Sequence, residues 1–210
     1  MKRTKPLIRI LCVDDHPLVR EGIARKIDRQ PDMKVIGTAS TGAEAIELFQ
    51  RHRPDVVLMD LQLPGMRGIQ AIEAIRREDS EARIVVLTMY SGDEDIFRAI
   101  QAGAASYLLK DTLSSDLVSI VRRVYRGERP IPPAVASRLA KRAGRPGLST
   151  REVEVVELLA EGKRNKEIAD VLGITRETVQ THIKRLFVKL NVNDRTAAVT
   201  VALSRGIVHI

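Results

Sequence analysis

One cysteine, no tryptophan and only 3% aromatic residues set the first limits on this 210-residue sequence. A lone Cys12 makes neither a disulfide framework nor a cysteine-based zinc centre. So few rings argue against a protein that stacks single-stranded bases on aromatic platforms. No apolar run approaches the roughly 18 residues of a membrane span. The stretch Leu7–Val13 is broken by Arg9 and stopped by Asp14 and Asp15, which makes a poor signal peptide. A soluble chain in a reducing, cytoplasmic setting is the expectation. The hydrophobic fraction of 44% is enough to build a core, so wholesale disorder is excluded. At about 100–200 residues per domain, the length allows one large domain or two small ones.

Charge divides the chain. The formal net charge is +8, but Met1–Gly127 holds 20 basic against 18 acidic residues and Glu128–Ile210 holds 15 against 9. A small basic region behind a nearly neutral one suits an acidic polymer as partner, nucleic acid first, although a solvated basic surface has the same composition. Between them, Pro130, Pro132, Pro133, Gly144, Pro146 and Gly147 punctuate the chain. The expected organisation is a first domain over 1–127, a linker over 128–147 with a short basic helix at Ala134–Ala143, and a second domain over 148–210.

In the first part, short apolar runs alternate with helical periodicity. Ile8–Val13, Lys34–Ala39, Asp55–Met59, Arg83–Thr88 and Ser106–Leu109 read as strands buried on both faces. The segments after them, Leu18–Arg29, Ala43–Arg51, Ile69–Arg77, Glu94–Ala102 and Leu113–Arg126, read as helices. Five such units predict an α/β domain with a five-stranded, doubly wound parallel sheet. Ligands of such sheets sit beyond the carboxyl ends of the strands. There the sequence places Asp14 and Asp15 after strand one, Asp60 after strand three, Thr88 at the end of strand four and Lys110 after strand five. Crowded carboxylates repel, and a hard divalent cation with oxygen ligands is the usual remedy. An ammonium and a hydroxyl beside that cation suit the oxygens of a phosphoryl group, and a facing carboxylate can act as nucleophile. Any one of these residues alone reads as a cap, a loop residue or a solvated charge.

The segments VDDHP, LMDLQLPGMRG, VVLTMY and GAASYLLK resemble the receiver domain of bacterial two-component response regulators, from about Ile8 to Arg126. The resemblance implies a flavodoxin-like fold and a phosphoryl group accepted by Asp60 from a sensor histidine kinase. It implies Mg2+ held by Asp15 and Asp60 directly, by Asp14 through water and by the Gln62 backbone carbonyl. Lys110 and Thr88 would contact phosphate, and Tyr107 matches the aromatic switch. Asp111 replaces a proline common in receivers after the lysine, so no cis peptide is expected. Gln62 and Tyr90 occupy the variable positions that tune dephosphorylation. Two rivals stand beside this reading. Haloacid-dehalogenase-like phosphatases share the Asp nucleophile, but carry a general acid–base two residues later, where this chain has Gln62. A phosphorylation-independent interaction module usually lacks one member of the acidic pair, the acceptor or the lysine, and here all are present.

The second part reads as four helices. Ser149 and Glu152 fit a capping box opening a helix through Ala160. A short helix follows over Asn165–Leu172, Gly173 breaks it, and Thr175 is placed to cap Arg176–Leu190. Val179, Ile183, Leu186, Phe187 and Leu190 form one apolar face of that helix, with Glu177, Gln180, Thr181 and Lys184 opposite. A short helix, a glycine turn and a polar-faced helix spell a helix-turn-helix. Such a polar face is suited to base edges in the major groove, and it is also what the solvated side of any amphipathic helix shows.

The run LSTREVEVVELLAEGKRNKEIADVLGITRETVQTHIKRLFVKLNVNDRTAAV resembles the LuxR-type DNA-binding domain over its whole length. A receiver followed by that domain is the arrangement of the NarL/FixJ subfamily of response regulators. The resemblance implies that Gln180, Thr181 and Lys184 read bases, with Gln180 standing where lysine is common. Charge and position add Lys163, Lys166, Arg176, Arg185 and Lys189 as phosphate contacts. His182 matches a family histidine, and none of the four histidines is assigned a metal. The expected whole is a transcriptional regulator rather than an enzyme, assisting only its own phosphoryl transfer and slow dephosphorylation. Its expected partners are the kinase and double-stranded DNA, with RNA polymerase a further candidate. Phosphorylation is expected to favour a homodimer, through the last receiver helix (Leu117, Ile120, Val121, Val124) or the last helix of the tail (Asn193–Ser204).

Overall fold

The structure, a computed structural model, describes residues 7–89 and 92–209, with the side chains of 112–115 left aside. By contacts the described chain forms two units, one taking in residues up to 89 and 97–136, the other 92–96 and 137–209.

The first unit holds β1 (Ile8–Val13), α1 (Pro17–Asp28), β2 (Met33–Ala39), α2 (Gly42–His52), β3 (Val56–Met59), α3 (Gly68–Glu78), β4 (Ile84–Thr88), α4 (Asp93–Gln101, shared with the second unit), β5 (Ser106–Leu109) and α5 (Leu113–Tyr125). All strand pairs are parallel, in the order β2-β1-β3-β4-β5. The central strands β3 and β4 are buried at every position, which is why they read as unbroken apolar runs. Successive side chains alternate between faces. Ile10, Cys12, Leu58, Val85, Leu87 and Leu108 join Ile23 and Ile27 of α1 and Leu117, Ile120, Val121 and Val124 of α5 in one core cluster. The apolar positions of α5 are therefore buried inside the domain's own core. They do not make the open surface that a dimer through those residues requires. Helix α2 packs on α3, β1 and β2.

After α5 the chain turns at Gly127, whose φ of +85° belongs to the left-handed region that favours glycine. Pro130 is buried, and its carbonyl accepts a hydrogen bond of 2.6 Å from Ser106 Oγ on β5, an edge strand of the sheet. Residues 128–136, expected as linker, thus group with the first unit. Helix α6 covers Pro133–Ala143.

The second unit adds α7 (Thr150–Ala160), α8 (Asn165–Leu172), α9 (Arg176–Leu190) and α10 (Arg195–Ser204). Ser149 accepts from the Glu152 amide and the Glu152 side chain accepts from the Ser149 amide, completing the expected capping box. Gly173 takes a φ of +63° at the end of α8, and Thr175 caps α9 by accepting from the Thr178 amide. Val179, Leu186 and Leu190 are buried, and Ile183 and Phe187 pack against the same core, as the apolar stripe predicts. Asp194 caps α10. Val199, Val201 and Leu203 of α10 likewise pack against this core.

Candidate functional site

Register brings the acidic residues together. Val13 pairs with Met59, so Asp14 and Asp60 leave adjacent strands side by side, and the Asp60 amide donates to the Val13 carbonyl. Thr88 pairs with Leu109, which puts Lys110 just past β5 on the same rim. Asp14 is 1% exposed and Asp60 2%. Lys110 Nζ lies 2.6 Å from Asp60 Oδ2 and 2.6 Å from Asp14 Oδ2. Asp60 Oδ1 accepts from the Gln62 amide at 3.3 Å, and Asp14 Oδ1 from the His16 amide at 2.9 Å. Thr88 and Tyr107 are both fully buried beside this rim, while Tyr90 lies outside the described residues. No cis peptide occurs among the described residues, in keeping with Asp111 in place of proline.

Burial lifts the Asp60 carboxyl above its ordinary value, and the Asp14 charge adds to the effect, against the opposite pull of Lys110. Burial alone would depress the Lys110 ammonium, but the two facing carboxylates outweigh it and hold the ammonium above its ordinary value. Burial, with Asp14 beside it, also pushes the Cys12 thiol up to about 12, so that thiol is inert.

Asp14, Asp15, His16 and Asp60 offer ligand atoms that all lie within 4.8 Å of one another. Asp14 Oδ2 and Asp15 Oδ1 are buried without a hydrogen bond of good geometry. Their nearest polar neighbours are Lys110 Nζ for the first and His16 Nδ1, at 2.6 Å, for the second. Buried carboxylate oxygens in excess of their donors fit a hard divalent cation. His16, the next residue in the chain, enters the cluster as a partner of Asp15.

Two supporting residues escaped the sequence. Arg20 of α1 donates to the Asp14 carbonyl and so holds the peptide between the two adjacent aspartates, Asp14 and Asp15. Gly68 opens α3 so close to the loop after β3 that a Cβ there would stand 2.0 Å from the Asp60 carbonyl oxygen. The glycine pair in LPGMRG was the available signal for Gly68; nothing local marks Arg20.

On the second unit, Gln180, Thr181, Lys184, Arg176, Arg185 and Lys166 are exposed and Lys163 is half-buried. The Thr181 hydroxyl donates to the Glu177 carbonyl within its own helix. Arg164, Asn165, Lys166, Glu167, Arg176 and Gln180 line an open cleft of about 460 Å³ where α8 and α9 begin. Arg164 was not among the sequence candidates, because its position as N-cap of α8 hid its charge from a helical-face reading. Lys189 differs from the other cations. Its ammonium donates to the buried Glu152 carboxylate at 2.7 Å and to the Gly147 carbonyl at 3.1 Å.

Sheet, acidic rim and helix-turn-helix together describe an α/β domain with an acidic rim joined to a basic helical one, and comparison with known proteins gives the family of each. Residues 10–122 match the response regulator receiver domain, and residues 146–202 match the bacterial regulatory proteins of the luxR family. The chain belongs to the two-component response regulators that pair a receiver with a LuxR-type DNA-binding domain. It is 42% identical to the transcriptional regulatory protein LiaR of Bacillus subtilis over 97% of this chain and all of that one. It is 36% identical to the response regulator protein VraR of Staphylococcus aureus over 96% of this chain and 99% of that one. Among solved structures, RcsB from Salmonella enterica serovar Typhimurium, bound to a promoter in the presence of a phosphomimetic, superposes with a TM-score of 0.71. That match has 28% identity and covers 94% of this chain and 98% of that one. No described helix is long and apolar enough to cross a membrane.

Proposed function

We propose that Asp60 is the phosphoryl acceptor of this response regulator and that its phosphorylation by a sensor histidine kinase controls binding of the second unit to specific double-stranded DNA. The observation that carries the first half is a buried carboxylate at the end of β3 held 2.6 Å from a buried ammonium. Asp60 attacks the phosphorus of the donor phosphohistidine; an oxygen–phosphorus bond forms as the nitrogen–phosphorus bond breaks. Lys110, now shared between Asp14 and Asp60, is placed to follow the incoming phosphoryl oxygens. Asp15, Asp60, the Gln62 carbonyl and, through water, Asp14 would hold Mg2+. The ion's chemistry there is to neutralise the crowded carboxylates and the transferring group. Thr88 bonds the phosphoryl group, and Tyr107, buried on the strand that leads to Lys110, repacks in response. The chain promotes its own phosphoryl transfer and is otherwise a regulator. With Gln62 two residues beyond Asp60, a hydrolase lacks its acid–base group.

For the second half, Gln180, Thr181 and Lys184 meet base edges, and Lys163, Lys166, Arg176 and Arg185 meet phosphates, joined by Arg164 at the α8–α9 cleft. One short recognition helix per chain favours two chains on paired half-sites, so the phosphorylated protein acts as a homodimer in the cytoplasm, with RNA polymerase a further partner. Incubation with a small phosphodonor and Mg2+ tests the whole reading. Intact mass should rise by one phosphoryl group in wild type and not in Asp60→Ala, and selection from genomic fragments should enrich a defined sequence. Undiminished labelling of Asp60→Ala overturns the assignment.

A further inference from the structure

In the second unit, Lys189 pairs with a buried carboxylate. Lys189 stands in the last turn of α9, the helix whose exposed face carries Gln180 and Lys184. Its ammonium has three donors. One goes to Glu152 Oε2 at 2.7 Å and one to the Gly147 carbonyl at 3.1 Å. Glu152 is 3% exposed, against 30% for the Lys189 side chain. The same Glu152 oxygen accepts the Ser149 amide at 2.7 Å, in the capping box that opens α7. Burial opposes the Glu152 charge, yet Lys189 and Ser149 more than compensate and hold its carboxyl below the ordinary value. Were the ammonium drawn out to a DNA phosphate, that buried carboxylate would be left without its cation.

We infer that Lys189 is a positioning residue for DNA recognition and not a phosphate contact: through Glu152 and Gly147 it pins the end of the recognition helix to the start of α7 and so sets the pose of the reading face. The inference rests on the DNA-binding reading above. Nine residues separate Lys189 from Gln180, about 13 Å along the helix axis. A tilt of roughly 5° about the Lys189 end therefore moves Gln180 by about 1 Å, enough to spoil hydrogen bonds that tolerate only a few tenths of an ångström. Phosphate contacts through long side chains on the same helix tolerate that motion, so the pin matters for discrimination more than for holding.

The test uses the full chain, phosphorylated with a small phosphodonor and Mg2+, at a temperature where circular dichroism shows every variant folded. Binding is measured to the duplex recovered by selection and to its scrambled counterpart over a range of salt. Lys189→Met should lower the specific-to-scrambled affinity ratio at least tenfold while leaving the salt slope on the scrambled duplex unchanged. Lys189→Arg should restore most of the ratio, and Glu152→Gln, which keeps α9 intact, should reproduce the loss. Arg185→Ala, the phosphate control, should instead weaken both duplexes and lower the slope by about 0.9. A similar fall in slope for Lys189→Met makes it a phosphate contact and overturns the inference. So does an unchanged ratio in Lys189→Met or, should that variant fail to fold, in Glu152→Gln. Absence of any sequence preference in wild type overturns the DNA reading itself.

Discussion

Replacing Lys110 by methionine keeps most of the aliphatic stem and removes the charge that touches both Asp14 and Asp60 at 2.6 Å. The lysine side chain is 7% exposed, so little water is at hand to replace it. Two buried carboxylates on neighbouring strands would then face each other uncompensated. Removing one partner of a buried ion pair costs about 3–5 kcal/mol. Against a typical total of about 5–15 kcal/mol, that is a large fraction of a domain's stability. In the receiver's thermal transition it amounts to roughly 10–20 °C. The penalty should shrink as pH falls, because protonating either carboxylate removes the repulsion. It should also shrink with Mg2+, and saturation at 100 times the dissociation constant returns about 2.7 kcal/mol. Urea unfolding of Lys110→Met and wild type at neutral pH, with and without the cation, measures both effects. The double variant Lys110→Met, Asp60→Asn should recover much of the loss, since the two sites share one interaction. A single variant as stable as wild type in cation-free buffer would refute the account of the rim as a tightly buried charge cluster.

Three further outcomes follow from the same geometry. Asp60 has a folded-state pKa raised by burial, so its contribution to stability is full below the unfolded value near 3.8 and is lost as pH rises through the folded one; in cation-free buffer Asp60→Asn should exceed wild type in denaturation midpoint at pH 7, and the advantage should vanish below about pH 4. Gly68→Ala forces a Cβ against the Asp60 carbonyl, so it should cost about 1–3 kcal/mol in the same unfolding assay and slow phosphodonor labelling; normal labelling and stability would show that the loop yields freely. Lys184→Ala or Gln180→Ala should cost about 1–3 kcal/mol on the selected duplex and relax discrimination at one base position, and equal weakening of selected and scrambled duplexes would turn Lys184 into a backbone clamp.

The parts of this protein legible in the sequence are those whose cause is local. Buried parallel strands have to be apolar throughout, as β3 and β4 are; all five strands were visible, with ends within a residue or so of those observed, but the edge strand β2 is buried only at Met33 and Ala39 and not on both faces as expected. The Ser149–Glu152 box, the Thr175 cap and the Gly173 turn each announce themselves within four residues. The meeting of Asp14, Asp60 and Lys110 on one rim was legible because topology forces strand ends together. What stayed hidden depends on partners far along the chain. Lys189 looks like any cation on a basic helix until Glu152, 37 residues earlier, is found against it. The apolar residues of α5 carry no mark saying whether they face a partner or the sheet, and the packing of α1 and α5 on one face gives the answer.

The hydrogen bond from Ser106 to Pro130 bears on how this regulator is taken apart and rebuilt. A chimera cut at Gly127, just past the end of helix α5, removes the carbonyl that satisfies a fully buried hydroxyl on an edge strand. An unpaired buried polar group costs about 1–3 kcal/mol. Such a hybrid loses stability for reasons unrelated to signalling. A junction placed beyond Ala136 keeps the Pro130 carbonyl with the sheet.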